Sequence, residues 1–580
     1  MEVVLLALGW TVVASESTEP RAIVLFNATV HTMVDERPRA SALCFSVGGR
    51  IAAVGADAHV LRSPCARQAG VARVDLHGAT VLPGLSDSHA HLMLEAARLT
   101  QADLSEASSA HEMAVLAARF ASEHPPAAGG WLQGMGWDQT RWVGGRFPTH
   151  ADLDELLPDV PAYLQHISGH AAVLNGAALR RIGPLPRDDP PGGRIERDAA
   201  GEPTGVLTDN AMNIALAVIP PWTDAEADAA LERVLDECAA SGLTGVHDLA
   251  AFSSDIRLFQ RRARAHGREG LRLRVYAMRR ADEASPHQPK VQPTSPDSLL
   301  TVRAVKLFAD GAMGSWTAAM LEAYSDAPRS RGTLIYTDAE LAANVSAWAR
   351  AGYQIATHAI GDAANRQVLD AYEQVLSDLR APPGADALRW RIEHAQILAA
   401  PDIARFARLG VIPSMQPSHV ASDLSYADAR LGPERARRSY AWASLLDAGV
   451  RCLPFGSDFP TAGTVPPLAG MHAAVTRQTA AGQPAGGWHP EQRVSRERAL
   501  RGYTVDSAYA RFAEHELGRI REDFLADLTI VDRDVLAVPS DELLYTRVLA
   551  TIVGGRATFD QARLLSPPVA PPLALRRGAG

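Results

Sequence analysis

Eight short apolar runs recur through the 580-residue chain, with longer helical patterns between them. They are "ATVLPGLSDSHAHL", "GLTGVHDL", "LRLRVYAM", "VRAVKLFADG", "YQIATHAIG", "RWRIEHAQIL", "GVIPSMQP" and "VRCLPFGSDFP". The intervening stretches include "DAEADAALERVLDECAAS", "DAANRQVLDAYEQVLSDLR" and "PDIARFARL", which carry apolar residues at helical spacing. Strands that alternate with helices build a parallel sheet, and eight such units close into a barrel. The expected fold is therefore α/β, with a (β/α)8 TIM barrel over residues 83–510.

Two departures from plain alternation set the rest of the organisation. More than a hundred residues separate the first run from the second, so a large insertion is expected at about 100–220, at the barrel mouth. At both ends the chain changes style. "ALCFSVGGRIAAVG" and "RVLATIVGGRATFD" alternate apolar and polar residues around Gly48-Gly49 and Gly554-Gly555, the mark of β-hairpins. Residues 21–82 and 511–580 are read as two parts of one small β-sandwich domain built from both termini.

Composition bounds the function. Hydrophobic residues at 47% and charged residues at 21% are ordinary for a globular chain. A net charge of -9 without a basic stripe gives nucleic acid no electrostatic purchase. Cys44, Cys65, Cys238 and Cys452 are far apart, so neither a disulfide framework nor a thiolate zinc site is expected. The apolar "VVLLALGWTVVA" is too short to span a bilayer. Residues 1–20 are read as a signal peptide or an N-terminal extension. The stretch has the length of a signal-peptide core but no basic residue before it, which leaves cytoplasmic and exported locations both open.

The chemistry sits where barrels put it, at the C-terminal ends of the strands. Those ends carry His89 and His91, Lys306, His358, His394 and Asp458. In a strand residues i and i+2 point the same way, so His89 and His91 can bind one ion together. Imidazole and carboxylate suit zinc and its first-row neighbours. Taken singly, each residue has an ordinary explanation in packing or turn formation. Jointly, six ligand-type residues in barrel order point to a metal site.

These residues lie in motifs that resemble the amidohydrolase superfamily, specifically its YtcJ-like branch (amidohydrolase 3). The matching stretches are "GLSDSHAHL", "VKLFADGAMGSWTAA", "THAIGDAANR", "RIEHAQIL" and "PFGSDFP", with "GWDQTRW" and "SGHAAVLN" in the insertion. The resemblance implies that His89 and His91 ligate the more buried of two divalent ions, that His358 and His394 ligate the second, and that Lys306 bridges them as a carboxylated lysine. It implies that Asp458 is both ligand and catalytic proton acceptor. Zinc is the expected metal, with manganese, iron or cobalt as alternatives. A lysine near pKa 10.4 must lose its proton before it can attack CO2, and burial beside two cations favours that loss.

The implied activity is hydrolysis of a non-peptide C–N bond in a linear or N-substituted amide by a metal-activated hydroxide. Cyclic-amide hydrolysis, ester hydrolysis and deamination are alternatives within the superfamily, and a catalytically inactive binding scaffold is the alternative outside enzymes. Trp137, Asp138 and His170 in the insertion, and Asp310 just past Lys306, are candidate substrate-binding residues. The expected partner is a small-molecule substrate, and a homo-oligomer is compatible with the resemblance.

Overall fold

A computed structural model of the chain describes residues 22–127, 129–167, 171–190, 193–265, 267–292, 298–380, 388–461, 463–561 and 563–565. His170 and the N-terminal segment 1–20 lie outside the described residues.

The centre is a parallel sheet of seven strands, hydrogen-bonded in chain order. They are β1 (Leu85–Ala90), β2 (Leu243–Ala251), β3 (Arg274–Arg280), β4 (Leu300–Phe308), β5 (Gln354–Ala359), β6 (Arg391–His394) and β7 (Ile412–Ser414). Their side chains alternate between two environments, as strand geometry requires. Val246, Val275, Val305, Ile355 and Ile392 join the large apolar core with Leu231, Val234, Leu341, Val345, Val368 and Leu369 of the surrounding helices. The intervening positions of neighbouring strands meet inside the barrel, where Leu249, Tyr276, Met278, Ala304 and Ala356 pack together. Lys306 and His358 continue the rows of Ala304 and Ala356 two residues on, toward the strand ends.

The sequence predicts eight strands, whereas the eighth run is an irregular segment. Met415 and Phe455 form an isolated parallel bridge. Ser88 N–H donates to the Phe455 carbonyl at 3.0 Å, and Asp458 N–H donates to the His89 carbonyl at 2.7 Å. Segment 453–458 thus bonds to β7 on one side and β1 on the other, and nearly closes the barrel. Regular pairing fails there for a local reason. Pro454 has no N–H to donate. Gly456 is pressed so close to β1 that a Cβ would lie 2.4 Å from the His89 nitrogen.

Between β1 and β2 the chain builds a separate six-stranded sheet from residues 102–209. A four-stranded sheet holds strands Ala22–Phe26, Ala42–Ser46, Ile51–Gly55 and Ala72–Asp75. Another sheet of six strands pairs Thr80–Pro83 antiparallel with Leu528–Val531, so the two ends of the chain share hydrogen bonds.

One expectation about cysteine is wrong. Cys44 and Cys65 form a disulfide that closes a 21-residue separation. Both are buried in the apolar cluster behind the four-stranded sheet. Their spacing in sequence carries no signature; the fold brings the strand and the short turn around Cys65 together. Cys238 and Cys452 are free.

Candidate metal centre

Four imidazoles from the ends of three strands, β1, β5 and β6, converge at the C-terminal end of the barrel. Ring centroids lie 5.5 Å apart for His89 and His91, 4.7 Å for His89 and His394, and 4.5 Å for His358 and His394. Asp458 enters from the closing segment, its Oδ1 3.4 Å from His89 Nε2 and 3.0 Å from His91 Nε2. Lys306 lines the same cavity and is 1% exposed. His394 (φ 73°) and Asp458 (φ 61°) take left-handed backbone conformations. Holding such residues costs about 1–3 kcal/mol each, a cost that concentrates at functional sites.

Each imidazole has one nitrogen occupied by the protein. His89 Nδ1 meets Glu393 Oε2 at 2.7 Å, and His91 Nδ1 meets the Leu249 carbonyl at 2.9 Å. His394 Nδ1 meets Gln416 Oε1 at 2.8 Å, and His358 Nε2 meets the Gly311 carbonyl at 3.0 Å. Every partner is an acceptor, so the proton sits on the occupied nitrogen and the opposite nitrogen is left with a bare lone pair. The ligand-capable atoms are Nε2 of His89, His91 and His394, and Nδ1 of His358.

Burial keeps three of the four imidazoles in ligand form. Burial pushes the His89 imidazole down to about 4 and that of His358 to about 3, with the Lys306 charge assisting both. Burial likewise holds His394 well below its ordinary value. Burial alone would raise the Asp458 carboxyl, but the facing His89, His419 and His91 hold it well below the usual carboxylate range. For His91, burial pulls down and Asp458 pulls up, and the carboxylate wins. Burial brings the Lys306 amine down to about 8.

A divalent cation fits this donor set. Atoms of His89, His394 and Asp458 able to ligate one ion lie within 4.8 Å of one another. Asp458 Oδ1 is buried and has no hydrogen bond. A buried carboxylate oxygen set against bare imidazole nitrogens is costly unless a cation sits among them. Among the described residues Lys306 Nζ has no hydrogen-bond or ion-pair partner; it lies 5.2 Å from the centre of the Phe308 ring. An unpaired buried lysine suits conversion to an anion.

The centre opens into a cavity of about 610 Å³. Met93, Leu94, Phe252, Phe308, Met313, Ile360 and Tyr426 give it apolar walls, and Asp255, Arg280 and Asp423 add charge.

Among the described candidates for substrate binding, Trp137, Asp138 and Asp310 do not line this cavity. Trp137 is fully buried in the insertion. Its indole N–H donates to the Leu164 carbonyl at 2.8 Å, and its ring packs on Trp142, Phe147 and His166. Asp138 lies 3.7 Å from His166 in the same sheet region. Among the described residues, none from 100–220 lines the cavity. Asp310 is buried beneath the floor, where its carboxylate accepts from the backbone N–H groups of Ala319, Ile360 and Gly361 at 2.8–3.0 Å. With both oxygens occupied it fastens the loops after β4 and β5 rather than facing a substrate.

Sequence reading missed the partners that orient the imidazoles. Glu393, fully buried beside His394, is held by Arg391 at 2.7 Å. Arg391 also bonds His247 Nδ1 at 2.8 Å and the Ser88 carbonyl at 2.7 Å. The charged run "RIEH" inside an apolar strand was the available signal, since a buried strand seldom carries three ionisable residues. His419, in "QPSHV", was missed altogether.

The profile of the Amidohydrolase family matches residues 72–559. Over 84% of its length the chain is 32% identical to YtcJ of Bacillus subtilis, and it covers 90% of that protein. It is 32% identical to the N-substituted formamide deformylase of Arthrobacter pascens, over 94% of this chain and 99% of the relative. A crystal structure of an uncharacterized metal-dependent hydrolase from Pyrococcus furiosus superposes with a TM-score of 0.72 at 28% identity, covering 89% of this chain and 100% of that one. With its nearly closed parallel barrel and convergent histidines, the chain belongs to the amidohydrolase family and is a metal-dependent hydrolase acting on carbon–nitrogen bonds other than peptide bonds.

Proposed function

We propose that this protein hydrolyses a linear, N-substituted amide at a pair of divalent ions, zinc in the first instance. His89, His91 and Asp458 would hold one ion, His358 and His394 the other, and carboxylated Lys306 would bridge them. The observation that carries this reading is the nitrogen bookkeeping: four imidazoles each have one nitrogen spent on a protein acceptor and the other bare toward a shared space.

When bound, such ions polarise a carbonyl and bring the pKa of water from about 15.7 toward 7. The chain's own residues supply the remainder. CO2 adds to the neutral Nζ of Lys306, and the loss of one proton leaves a carbamate anion able to face two cations. Asp458 takes a proton from the attacking water and delivers it to the leaving nitrogen, because an amine departs poorly unless protonated. Met93, Leu94, Phe252 and Phe308 offer the nitrogen substituent an apolar bed. The formamide-cleaving relative supports the N-substituted class, and the apolar wall favours a hydrocarbon substituent over a charged one.

The test is a screen of formamides and acetamides with alkyl and aryl nitrogen substituents, alongside carbamates, cyclic amides and esters, on zinc-reconstituted protein. Linear amides should turn over fastest, with activity lost to a chelator and in Lys306→Ala. About two equivalents of bound metal are expected. One equivalent, or turnover confined to cyclic amides or esters, would sink this reading.

A further inference from the structure

A fifth histidine stands at this centre, and its chemistry differs from that of the other four. His419 lies in the short helix Ser418–Asp423 that follows β7. It is 6% exposed and borders the cavity. Its ring stacks on His394 at 5.5 Å with an interplanar angle of 21°. Its Nε2 lies 3.4 Å from Asp458 Oδ2.

The two carboxylate oxygens of Asp458 therefore face different company. Oδ1 looks at His89 Nε2 and His91 Nε2, whose Nδ1 atoms are each committed to an acceptor. Oδ2 looks at His419. Among the described residues no acceptor occupies either nitrogen of His419, and its Nε2 is buried without a hydrogen bond. The four ligand-type imidazoles are fixed with a lone pair toward the centre, whereas His419 is free to present an N–H. Only that choice satisfies a carboxylate oxygen, since two lone pairs at this distance repel.

We propose that His419 is a positioning residue, donating its Nε2–H to Asp458 Oδ2 so that Oδ1 is held toward the ion. It is not a further ligand. This rests on the reading of Asp458 as a metal ligand given above. Partners that orient a metal's ligands typically change affinity by 10–100-fold when removed.

The experiment uses the full-length protein and zinc or cobalt(II) titrated against a competing chelator, so that no substrate need be known. His419→Phe keeps an aromatic ring against His394 but has no donor. His419→Gln returns an amide N–H near the position of Nε2. The expected result is a tenfold or greater weakening of metal affinity in His419→Phe, with His419→Gln within about threefold of the wild type. In an Asp458→Ala background the Phe substitution should change affinity less than twofold, because the group it positions is gone. Wild-type affinity in His419→Phe, an equal loss in Phe and Gln, or an undiminished loss in the Asp458→Ala background would overturn the inference. Failure of the wild type to bind metal would instead overturn the metal reading, so the two failures are distinguishable. Where an assayable amide has been found, His419→Phe should lower kcat with KM nearly unchanged.

Discussion

Glu393 Oε2 lies 2.7 Å from His89 Nδ1, so an acid on β6 sets the proton position of an imidazole on β1. The same carboxylate is gripped by Arg391 through both oxygens, at 2.7 and 3.1 Å. Charge, tautomer and ring orientation are thereby fixed by one fully buried network. Replacing Glu393 by Gln keeps the shape and removes the charge. Zinc affinity should fall 10–100-fold, measured by chelator competition. Thermal stability should also drop, because the Arg391 cation is left buried without its counter-charge.

Asp458→Asn should lower kcat by about 10²–10⁴-fold, the range for losing a positioned acid–base group. Saturating zinc should still load the protein, because the imidazoles and Lys306 remain. Parallel turnover assays and metal analysis check this; an Asn variant with ordinary turnover would remove Asp458 from the proton transfer.

Lys306 gives a pH dependence. Its amine, ordinarily near 10.5, is brought by burial to about 8 in the metal-free protein. Since the folded value lies below the ordinary one, the free amine is the minority form below about 8 and the majority above it. Under constant dissolved 13CO2, the carbamate signal of metal-free protein should be weak near pH 6 and strong near pH 9 by 13C NMR. Lys306→Ala should abolish it at every pH.

Asp310→Ala should act on stability. Removing the carboxylate strands three backbone N–H groups in a buried place. At about 1–3 kcal/mol for each unsatisfied group, the loss is several kcal/mol. Thermal unfolding should register it; a stable variant with only a raised KM would instead return Asp310 to the substrate site.

The disulfide offers a separate handle. Closing a loop of 21 residues stabilises the folded chain by about 3 kcal/mol. Cys44→Ser with Cys65→Ser should lower the unfolding temperature, and zinc affinity at the distant barrel should stay as it was. Reductant should destabilise the wild type and leave the double variant unaffected.

Much of the site was legible because barrel chemistry is written at strand ends. His89 and His91 share a face by period two, and Lys306, His358 and His394 each close an apolar run, so the motif order mapped onto the strand order. What escaped depends on contacts distant in sequence. Glu393 matters because β6 and β1 meet across the barrel interior, 304 residues apart in the chain. His419 matters because the helix after β7 turns it toward Asp458. The Cys44–Cys65 bond likewise needed the folded sheet. Trp137, an aromatic in a family-like motif, reads equally as a binding wall or as packing, and in the fold its indole N–H donates to a carbonyl of its own sheet. The eighth run read as a strand because apolar residues dominate it, but Pro454 and Gly456 replace regular pairing with a few bonds to each neighbour.

The antiparallel pairing of Thr80–Pro83 with Leu528–Val531 runs directly into β1. Gly84 N–H donates to the Asp527 carbonyl at 2.8 Å, and Leu85 N–H donates to Thr529 Oγ1 at 3.2 Å. The strand that ends in His89 and His91 is therefore moored at its base by residues that follow Asp458 in the chain. A ribosome that has finished Asp458 has made every proposed ligand, yet the first of them still lacks its foundation. A premature stop between residues 459 and 527 would spare the chemistry in the text of the chain and remove the strand that moors it.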